Sequence, residues 1–117
     1  MSIAASDLRL LFQRSGNRCA FPNCGEVLTL QINGDDMVAT SEVAHIVSRS
    51  LDGPRGTYPL DPDNRDDYSN LILLCEKHHH LVDAKPASFP VEMLRRWKNE
   101  HETLMQQATK IAIQQRQ

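Results

Sequence analysis

The stretch CEKHHHLVD, residues 75–83, concentrates side chains that can bind metals or transfer protons. Three consecutive histidines follow Cys75 and precede Asp83, in a chain that has only five histidines and three cysteines. Thiolate and imidazole groups favour borderline-soft ions such as Zn²⁺, whereas carboxylates favour hard cations such as Mg²⁺. This stretch therefore predicts metal chemistry.

Two pairs of soft ligands have the spacing of a structural zinc site. The pairs are Cys19-x4-Cys24 and Cys75-x2-His78, and together they supply the Cys3His set that a tetrahedral zinc commonly takes. This set uses each cysteine once, which accounts for their odd number. The alternative, three buried thiols and a surface histidine, is less favoured because small cores often need a metal staple. A redox or zinc-sensing switch has little support, because the chain has no Cys-x2-Cys pair.

A second constellation involves His45, Asn70, His79 and Asp83. On a helix, His79 and Asp83 share a face because they are four residues apart. Asn70 opens the apolar segment NLILLC, which can pair antiparallel with the strand VAHIV that contains His45. Taken alone, His45 is best interpreted as a histidine satisfied within a strand. Together the four side chains predict one cleft suited to a hard divalent cation.

Length and composition predict one domain with a small core in a reducing compartment. The chain has 117 residues, of which 40% are hydrophobic and 5% aromatic, and its formal net charge is −2. This charge excludes a protein that grips nucleic acid by bulk positive charge alone, although local basic patches remain. Neither a signal peptide nor a membrane-spanning segment is evident. We therefore expect a cytoplasmic protein whose cysteines bind metal rather than form disulfides.

The elements that must position these residues follow from periodicity and turn signals. Asn33-Gly34 is a strong hairpin signal between two strands, and Ser6 is suited to cap a first helix. The Pro-, Gly- and Asp-rich segment 48–69 lacks periodicity, and a loop of this length is usually functional or disordered. The predicted elements, in chain order, are a helix at 6–15, strands at 27–32, 37–47 and 70–75, a helix at 76–84 and a helix at 90–114.

Two groups of basic residues have both a structural and a DNA-binding interpretation. In the last helix, Leu94 and Trp97 favour core packing, although the adjacent Arg95, Arg96 and Lys98 could contact phosphates. The arginines of the 48–69 loop could touch the DNA backbone or pair with the many aspartates of the same loop. These loop residues are Arg49, Arg55 and Arg65.

In these motifs the chain resembles the HNH endonuclease family, which is built on the ββα-metal (His-Me finger) motif. The resemblance rests on AHI (44–46), SNLILLC (69–75) and the histidine run that ends near Asp83. Other segments, among them CAFPNC, DGPRG and FPVEMLRRWKNEHE, resemble HNH nuclease domains of bacterial antiphage effectors such as HNH–SAVED proteins. The resemblance implies a small, zinc-stapled α+β fold. It implies a single HNH nuclease domain over residues 1–117, with its core at about 17–102 and flanking N- and C-terminal helices.

The resemblance also implies a role for each candidate residue. His45 matches the general base that takes a proton from water, and Asn70 matches the asparagine that positions the loop and that histidine. His79 and Asp83 match the ligands of a catalytic Mg²⁺ or Mn²⁺. The structural zinc set matches Cys19, Cys24, Cys75 and His78.

One position departs from the family pattern. Many members carry Asp or His directly before the base histidine, as a metal ligand, where this chain has Ala44. Glu42, two residues earlier on the same strand face, is a hypothetical substitute. The catalytic ion would then have few protein ligands and would bind weakly in the absence of DNA.

The activity implied is that of a metal-dependent endonuclease. It would hydrolyse double-stranded DNA with little sequence preference in a bacterial cytoplasm, and antiphage defence would be one setting for it. The alternative is a non-catalytic, zinc-stabilised module that binds nucleic acid or protein on a decayed HNH scaffold. Ala44 supports this alternative, whereas the joint presence of the four cleft residues argues against it. A homodimer, or association with a sensor or regulatory protein, is a further expectation, and no membrane partner is expected.

Overall fold

The computed structural model describes residues 3–32, 36–39 and 41–116, and its described side chains leave out residues 29–42. Within these ranges, three α-helices and two antiparallel two-stranded sheets make up an α+β protein, as predicted. No helix in the described ranges combines the length and apolar character needed to cross a membrane. The elements are α1 (Ala5–Arg14), β1 (Thr29–Ile32), β2 (Asp36–Ala39), β3 (Ser41–His45), β4 (Leu71–Cys75), α2 (Glu76–Ala84) and α3 (Val91–Gln115).

A ββα unit lies at the centre of the protein. β3 and β4 pair antiparallel from Ser41 opposite Cys75 to His45 opposite Leu71, which confirms the predicted pairing. Cys75 is both the last residue of β4 and the N-cap of α2, so the chain reverses there. α2 packs on both strands. Its C-terminal end therefore returns to the His45 end of the sheet, which brings Asp83 towards His45.

β4 is a buried strand because the chain covers both of its faces. Leu71, Ile72, Leu73 and Leu74 are all buried, and α1, α2 and α3 each contact this strand. A continuous apolar run, rather than an alternating one, is typical of a strand buried on both faces. Burial of these side chains fixes the two ends of β4, where Asn70 precedes the strand and Cys75 is its last residue.

The strands before β3 differ from the prediction. The stretch predicted as one strand over 37–47 is divided between β2, which pairs with β1, and β3, which pairs with β4. Alternating apolar residues indicate that a segment is a strand, but they do not show which strand it pairs with. A segment whose two halves pair in different sheets therefore looks like one continuous strand in the sequence. β1 is also shorter than predicted, because Val27 forms only an isolated bridge with Arg18. The predicted turn at Asn33-Gly34 lies outside the described residues.

The predicted loop 48–69 is organised around a buried arginine. Arg65 is only 5% exposed, and its guanidinium donates to the carbonyl oxygens of Ser48 (2.7 Å), Gly56 (3.0 Å) and Leu60 (3.0 Å). Two short 3-10 helices, Pro62–Asn64 and Tyr68–Asn70, flank it along the chain. The hydrogen bonds of the Arg65 side chain therefore hold separate parts of this segment together.

The two outer helices also depart in part from the prediction. α1 begins at Ala5 with Ala4 at the N-cap, so Ser6 lies inside the first turn and is not the capping residue. On α3 the predicted core packing of Leu94 and Trp97 is confirmed, since Leu94 is buried and Trp97 packs against the core. Leu104 is 57% exposed and Ile111 is 52% exposed, because the second half of this 25-residue helix extends past the rest of the fold.

Candidate metal centre and catalytic cleft

The four predicted zinc ligands converge at one point. Their ligand atoms all lie within 4.8 Å of one another. His78 Nδ1 lies 3.2 Å from Cys75 Sγ and 3.7 Å from Cys19 Sγ, and the Cys24 and Cys75 sulfurs are 4.0 Å apart. Ligand bonds of about 2.0–2.3 Å in a tetrahedron place ligand atoms about 3.4–3.8 Å apart. The observed separations scatter around this range, so the donor set fits a zinc ion.

Local backbone geometry brings the first pair of cysteines to this point. Cys19 N–H donates to the Glu26 carbonyl at 2.9 Å, which closes the small loop that contains Cys24. Within that loop Asn23 and Gly25 have φ values of 66°, a left-handed conformation that Asn and Gly adopt most readily. The turn thus aims the Cys24 sulfur back at Cys19.

The protonation states of this centre respond to burial. Burial raises the pKa of the Cys19 thiol to about 12, so the metal-free site would keep this sulfur protonated. Burial, and then repulsion by Lys77, lowers the pKa of His78, which favours the neutral imidazole that a metal requires. A bound zinc ion deprotonates its thiol ligands outright. Binding of a zinc ion at this site would therefore release the thiol proton of Cys19.

An aromatic cluster covers the Cys3His centre, and the sequence analysis did not predict it. The Phe21 ring stacks on the His78 imidazole at 3.9 Å with an interplanar angle of 4°. Trp97 of α3 meets Phe21 edge-on at 5.0 Å, and Phe89 contacts both rings. These contacts hold the imidazole in one orientation and explain what Trp97 packs against. The only sequence signal was the position of Phe21 between the two cysteines.

His79 and Asp83 form the second constellation, on one face of α2. His79 Nε2 lies 3.1 Å from Asp83 Oδ2. Two ligand atoms at 90° around Mg²⁺, with bonds of 2.0–2.1 Å, are about 3.0 Å apart, so this pair fits adjacent positions on one octahedral ion. Both residues line an open cleft beside α2. Cys24, Cys75 and His78 of the Cys3His set line the same cleft, so the two groups of residues are neighbours.

Arg55 connects Asp83 to the His45 end of β3. Its side chain is 4% exposed, and it donates to Asp83 Oδ1 at 2.9 Å and to the Ile46 carbonyl at 2.7 Å. One guanidinium group therefore connects the Asp83 carboxylate to the backbone of Ile46, the residue that follows His45. Burial alone would raise the pKa of Asp83, but hydrogen bonds from His79 and Arg55 lower it below its ordinary value. Asp83 is thus ionised at neutral pH and can bind a cation.

Asn70 holds the chain on both sides of this cleft. It is 2% exposed, and its Oδ1 accepts from Val47 N–H at 2.9 Å. Its Nδ2 donates to the carbonyl oxygens of Val47 and Arg65, both at 2.8 Å. The Asn70 carbonyl also accepts from Ile46 N–H at 2.8 Å. One side chain therefore joins the segment after His45 to the arginine-centred loop.

His45 lies at the end of β3 and its ring is fixed by a residue that sequence reasoning missed. Its Nε2 is 2.7 Å from Asp66 Oδ1, and Arg49 Nε donates to the same oxygen at 2.6 Å. Asp66 was one of several aspartates in a loop without periodicity, so no spacing rule distinguished it. The loop brings it 21 residues back along the chain to His45.

The basic residues predicted to meet DNA have different environments. Arg49 is 51% exposed at its side chain and therefore lies at the surface. Arg55 and Arg65 are buried and donate to backbone carbonyls, so their guanidinium groups support the loop and are not on the surface. Lys98 is also buried, beside Glu102 at 2.5 Å. The interpretation of Lys98 as a phosphate contact is therefore wrong in this fold.

The residue directly before His45 packs in the hydrophobic core. Ala44 is 1% exposed and belongs to the hydrophobic core, where it lies opposite Ile72. A charged ligand at this position would be directed into the apolar cluster. Glu42 belongs to β3, but its side chain is outside the described part of the protein, so the hypothesis that it binds the ion stays untested.

Comparison with known proteins agrees with this geometry. No curated protein matches the chain. A family model described as HNH endonuclease matches residues 19–89, more than half of the chain. The matched range runs from Cys19 through β3, the arginine-centred loop, β4 and α2. The chain belongs to the HNH endonuclease family.

Proposed function

We propose that this protein is a metal-dependent endonuclease that hydrolyses double-stranded DNA with little sequence preference. Its closed Cys3His centre would hold a structural Zn²⁺. His79 and Asp83 would hold one catalytic Mg²⁺ or Mn²⁺, and His45 would be the general base. The observation that carries the proposal is the Arg55 bridge, because it joins Asp83 to the backbone beside His45. A base and a cation-binding carboxylate on either side of one guanidinium suit a phosphodiester substrate.

The two predicted metals have different chemical roles. Four N and S ligands leave a zinc ion no open position for substrate, so this centre would stabilise the fold. A cation with only two protein ligands keeps most of its coordination sphere for water and phosphate oxygens. When bound, such an ion supplies Lewis acidity that stabilises negative charge on the phosphate and the leaving oxygen.

The protein's own residues would carry the proton transfer. His45 accepts a proton from water as the water oxygen attacks phosphorus, and the bond from phosphorus to the leaving oxygen breaks. The leaving oxygen then takes a proton from solvent. Asn70 positions the segment that follows His45 through the two hydrogen bonds to Val47. Histidine suits this task because it changes its protonation state near neutral pH.

Binding of DNA would depend on few phosphate contacts. Arg49 lies next to the proposed base and is half exposed, so we assign it the nearest phosphate contact. The net charge of −2 predicts weak binding, since each phosphate contact adds affinity that falls with salt. Weak intrinsic affinity would suit a nuclease that a sensor or a second copy brings to its substrate. The resemblance to antiphage HNH–SAVED effectors supports a role of this kind in defence.

The first experiment measures conversion of supercoiled plasmid to nicked and linear forms. Purified full-length protein is incubated with Mg²⁺, Mn²⁺ or EDTA, and zinc is quantified on the same sample. We expect metal-dependent cutting, about one zinc per chain, and loss of cutting in His45→Ala and His79→Ala. His80→Ala is the matched control, because His80 is the exposed neighbour of His79 on α2. It should cut as the wild-type protein does.

A second candidate function is favoured by one observation, the burial of Ala44 in place of a ligand. In that case the protein would be a zinc-stabilised binding module without catalysis. It would contain zinc but would leave plasmid intact with either cation. Cutting that persists in His45→Ala would contradict the assignment of the base, even if the wild-type protein is a nuclease.

A further inference from the structure

The imidazole of His45 is held at one ring nitrogen by a carboxylate. The Nε2 atom lies 2.7 Å from Asp66 Oδ1, and both side chains are largely buried. A neutral imidazole has one N–H and one lone pair, and the partner of one nitrogen decides where the proton resides. We infer that Asp66 is a positioning residue that keeps the proton on Nε2 and leaves Nδ1 of His45 as the proton-accepting nitrogen. This inference rests on the proposed function of His45 as a general base.

The charge of Asp66 fixes the direction of this hydrogen bond. Burial by itself would raise the pKa of Asp66, but hydrogen bonds from Arg49 and His45 lower it below its ordinary value of 3.8. The carboxylate is therefore ionised at neutral pH and can only accept hydrogen bonds. Since Arg49 Nε also donates to Oδ1, at 2.6 Å, the shared oxygen leaves His45 Nε2 as a donor.

The backbone around Asp66 is held as firmly as the side chain. Arg65, the preceding residue, is buried, and its carbonyl accepts from Asn70 Nδ2 at 2.8 Å. Asp67, the following residue, accepts from Asn70 N–H at 2.8 Å through its carbonyl. The two peptide neighbours of Asp66 are thus fixed by the same asparagine that binds Val47. Asn70 therefore acts on His45 from two directions, through Val47 and through Asp66.

This arrangement has a defined consequence during hydrolysis. When water loses its proton to Nδ1, His45 becomes an imidazolium with N–H groups on both nitrogens. The Asp66 carboxylate, in contact with Nε2, stabilises that positive charge without taking the proton itself. The same logic applies to carboxylates that orient a metal-binding histidine, where loss of the partner typically costs about 10–100-fold. For the aspartate that orients the histidine of a serine-protease triad, the loss is larger, about 10⁴-fold.

The test combines kinetics with a direct measurement of the tautomer. In Asp66→Asn, the amide can donate to Nε2 as well as accept from it, so the proton is no longer confined to that nitrogen. We expect the turnover of plasmid cutting to fall by about 10–100-fold while KM stays within about twofold. Asp63→Asn is the matched control, because it removes an exposed charge from the same loop and should cut normally.

The tautomer is read from ¹⁵N NMR of histidine-labelled full-length protein, with the His45 signals assigned by their absence in His45→Ala. We expect the wild-type ring to carry its proton on Nε2 and Asp66→Asn to show a mixture. Finding the proton on Nδ1 in the wild-type protein would overturn the inference, whether or not Asp66→Asn folds. A fall in turnover with an unchanged tautomer would overturn it as well. If the wild-type protein does not cut, the proposed function fails, but the NMR result still decides the role of Asp66.

Discussion

Replacing Asn70 tests whether the cleft is held together by hydrogen bonds from one buried side chain. In Asn70→Ala the Val47 N–H and the carbonyl oxygens of Val47 and Arg65 lose their partner. These groups are buried, so solvent does not replace the lost bonds freely. We expect the substitution to lower the stability of the fold and to displace His45.

The size of the effect follows from the number of bonds. Three hydrogen bonds at about 1 kcal/mol each predict that the free energy of unfolding falls by about 3 kcal/mol. Total stabilities of about 5–15 kcal/mol are typical, so this loss is a large fraction. At about 4 °C per kcal/mol for a chain of this size, Tm should fall by about 12 °C. Asn70→Asp keeps one bond but sets a carboxylate against two carbonyl oxygens, so its loss should be at least as large.

The assay is urea unfolding followed by circular dichroism at a fixed free zinc concentration. Zinc must be held constant because a metal that binds only the folded state adds to the apparent stability. Asn99→Ala is the matched control, since Asn99 is an exposed residue of α3. The same substitution there should change stability by less than about 0.5 kcal/mol.

One result would refute this reasoning. If Asn70→Ala unfolds within about 0.5 kcal/mol of the wild-type protein, the three hydrogen bonds do not hold the loop as inferred. If it then also fails to cut plasmid, Asn70 would act on the substrate directly rather than through the framework. A stable, fully active variant would remove Asn70 from the mechanism altogether.

Three further predictions concern the loop and the buried charges. Gly56→Ala should destabilise the fold by several kcal/mol in urea titration, because its Cβ would lie 2.3 Å from a backbone carbonyl oxygen. Gly25→Ala, whose Cβ meets open space, should cost only the roughly 1–2 kcal/mol of a left-handed alanine; equal losses would contradict this account. The depressed pKa of Asp66 contributes stability that is present above its ordinary value of 3.8 and is lost as pH falls through the lower folded value. The stability difference between wild type and Asp66→Asn should therefore shrink in acid, and a difference that is constant with pH would argue against this ionisation. Lys98→Met breaks the buried pair with Glu102 and should cost about 3–5 kcal/mol. Adding Glu102→Gln should restore part of this in thermal unfolding, and no recovery would show that packing, not the unpaired charge, is responsible.

The Cys3His cluster and the ββα unit could be predicted because their signals are local. Cys75-x2-His78 spans one turn, and the apolar run at 71–74 predicts a buried strand wherever it lies in a fold. The bounds predicted for α2, 76–84, match the structure. The pairing of this strand with the segment that contains His45 could also be predicted, because the two are short apolar segments on either side of one long loop.

Only the tertiary structure decided which loop residues serve the cleft. The sequence placed Arg49, Arg55 and Arg65 on equal terms, yet one is half exposed and two are buried. Asp66 was indistinguishable from its neighbouring aspartates until the chain folded it against His45. An irregular loop has no periodicity to assign its faces, and the Arg55 side chain finds partners 9–34 residues away. Residue types and short spacings therefore determined which ions and which reaction we predict for this chain, and long-range packing decided which charged groups contact His45 and Asp83.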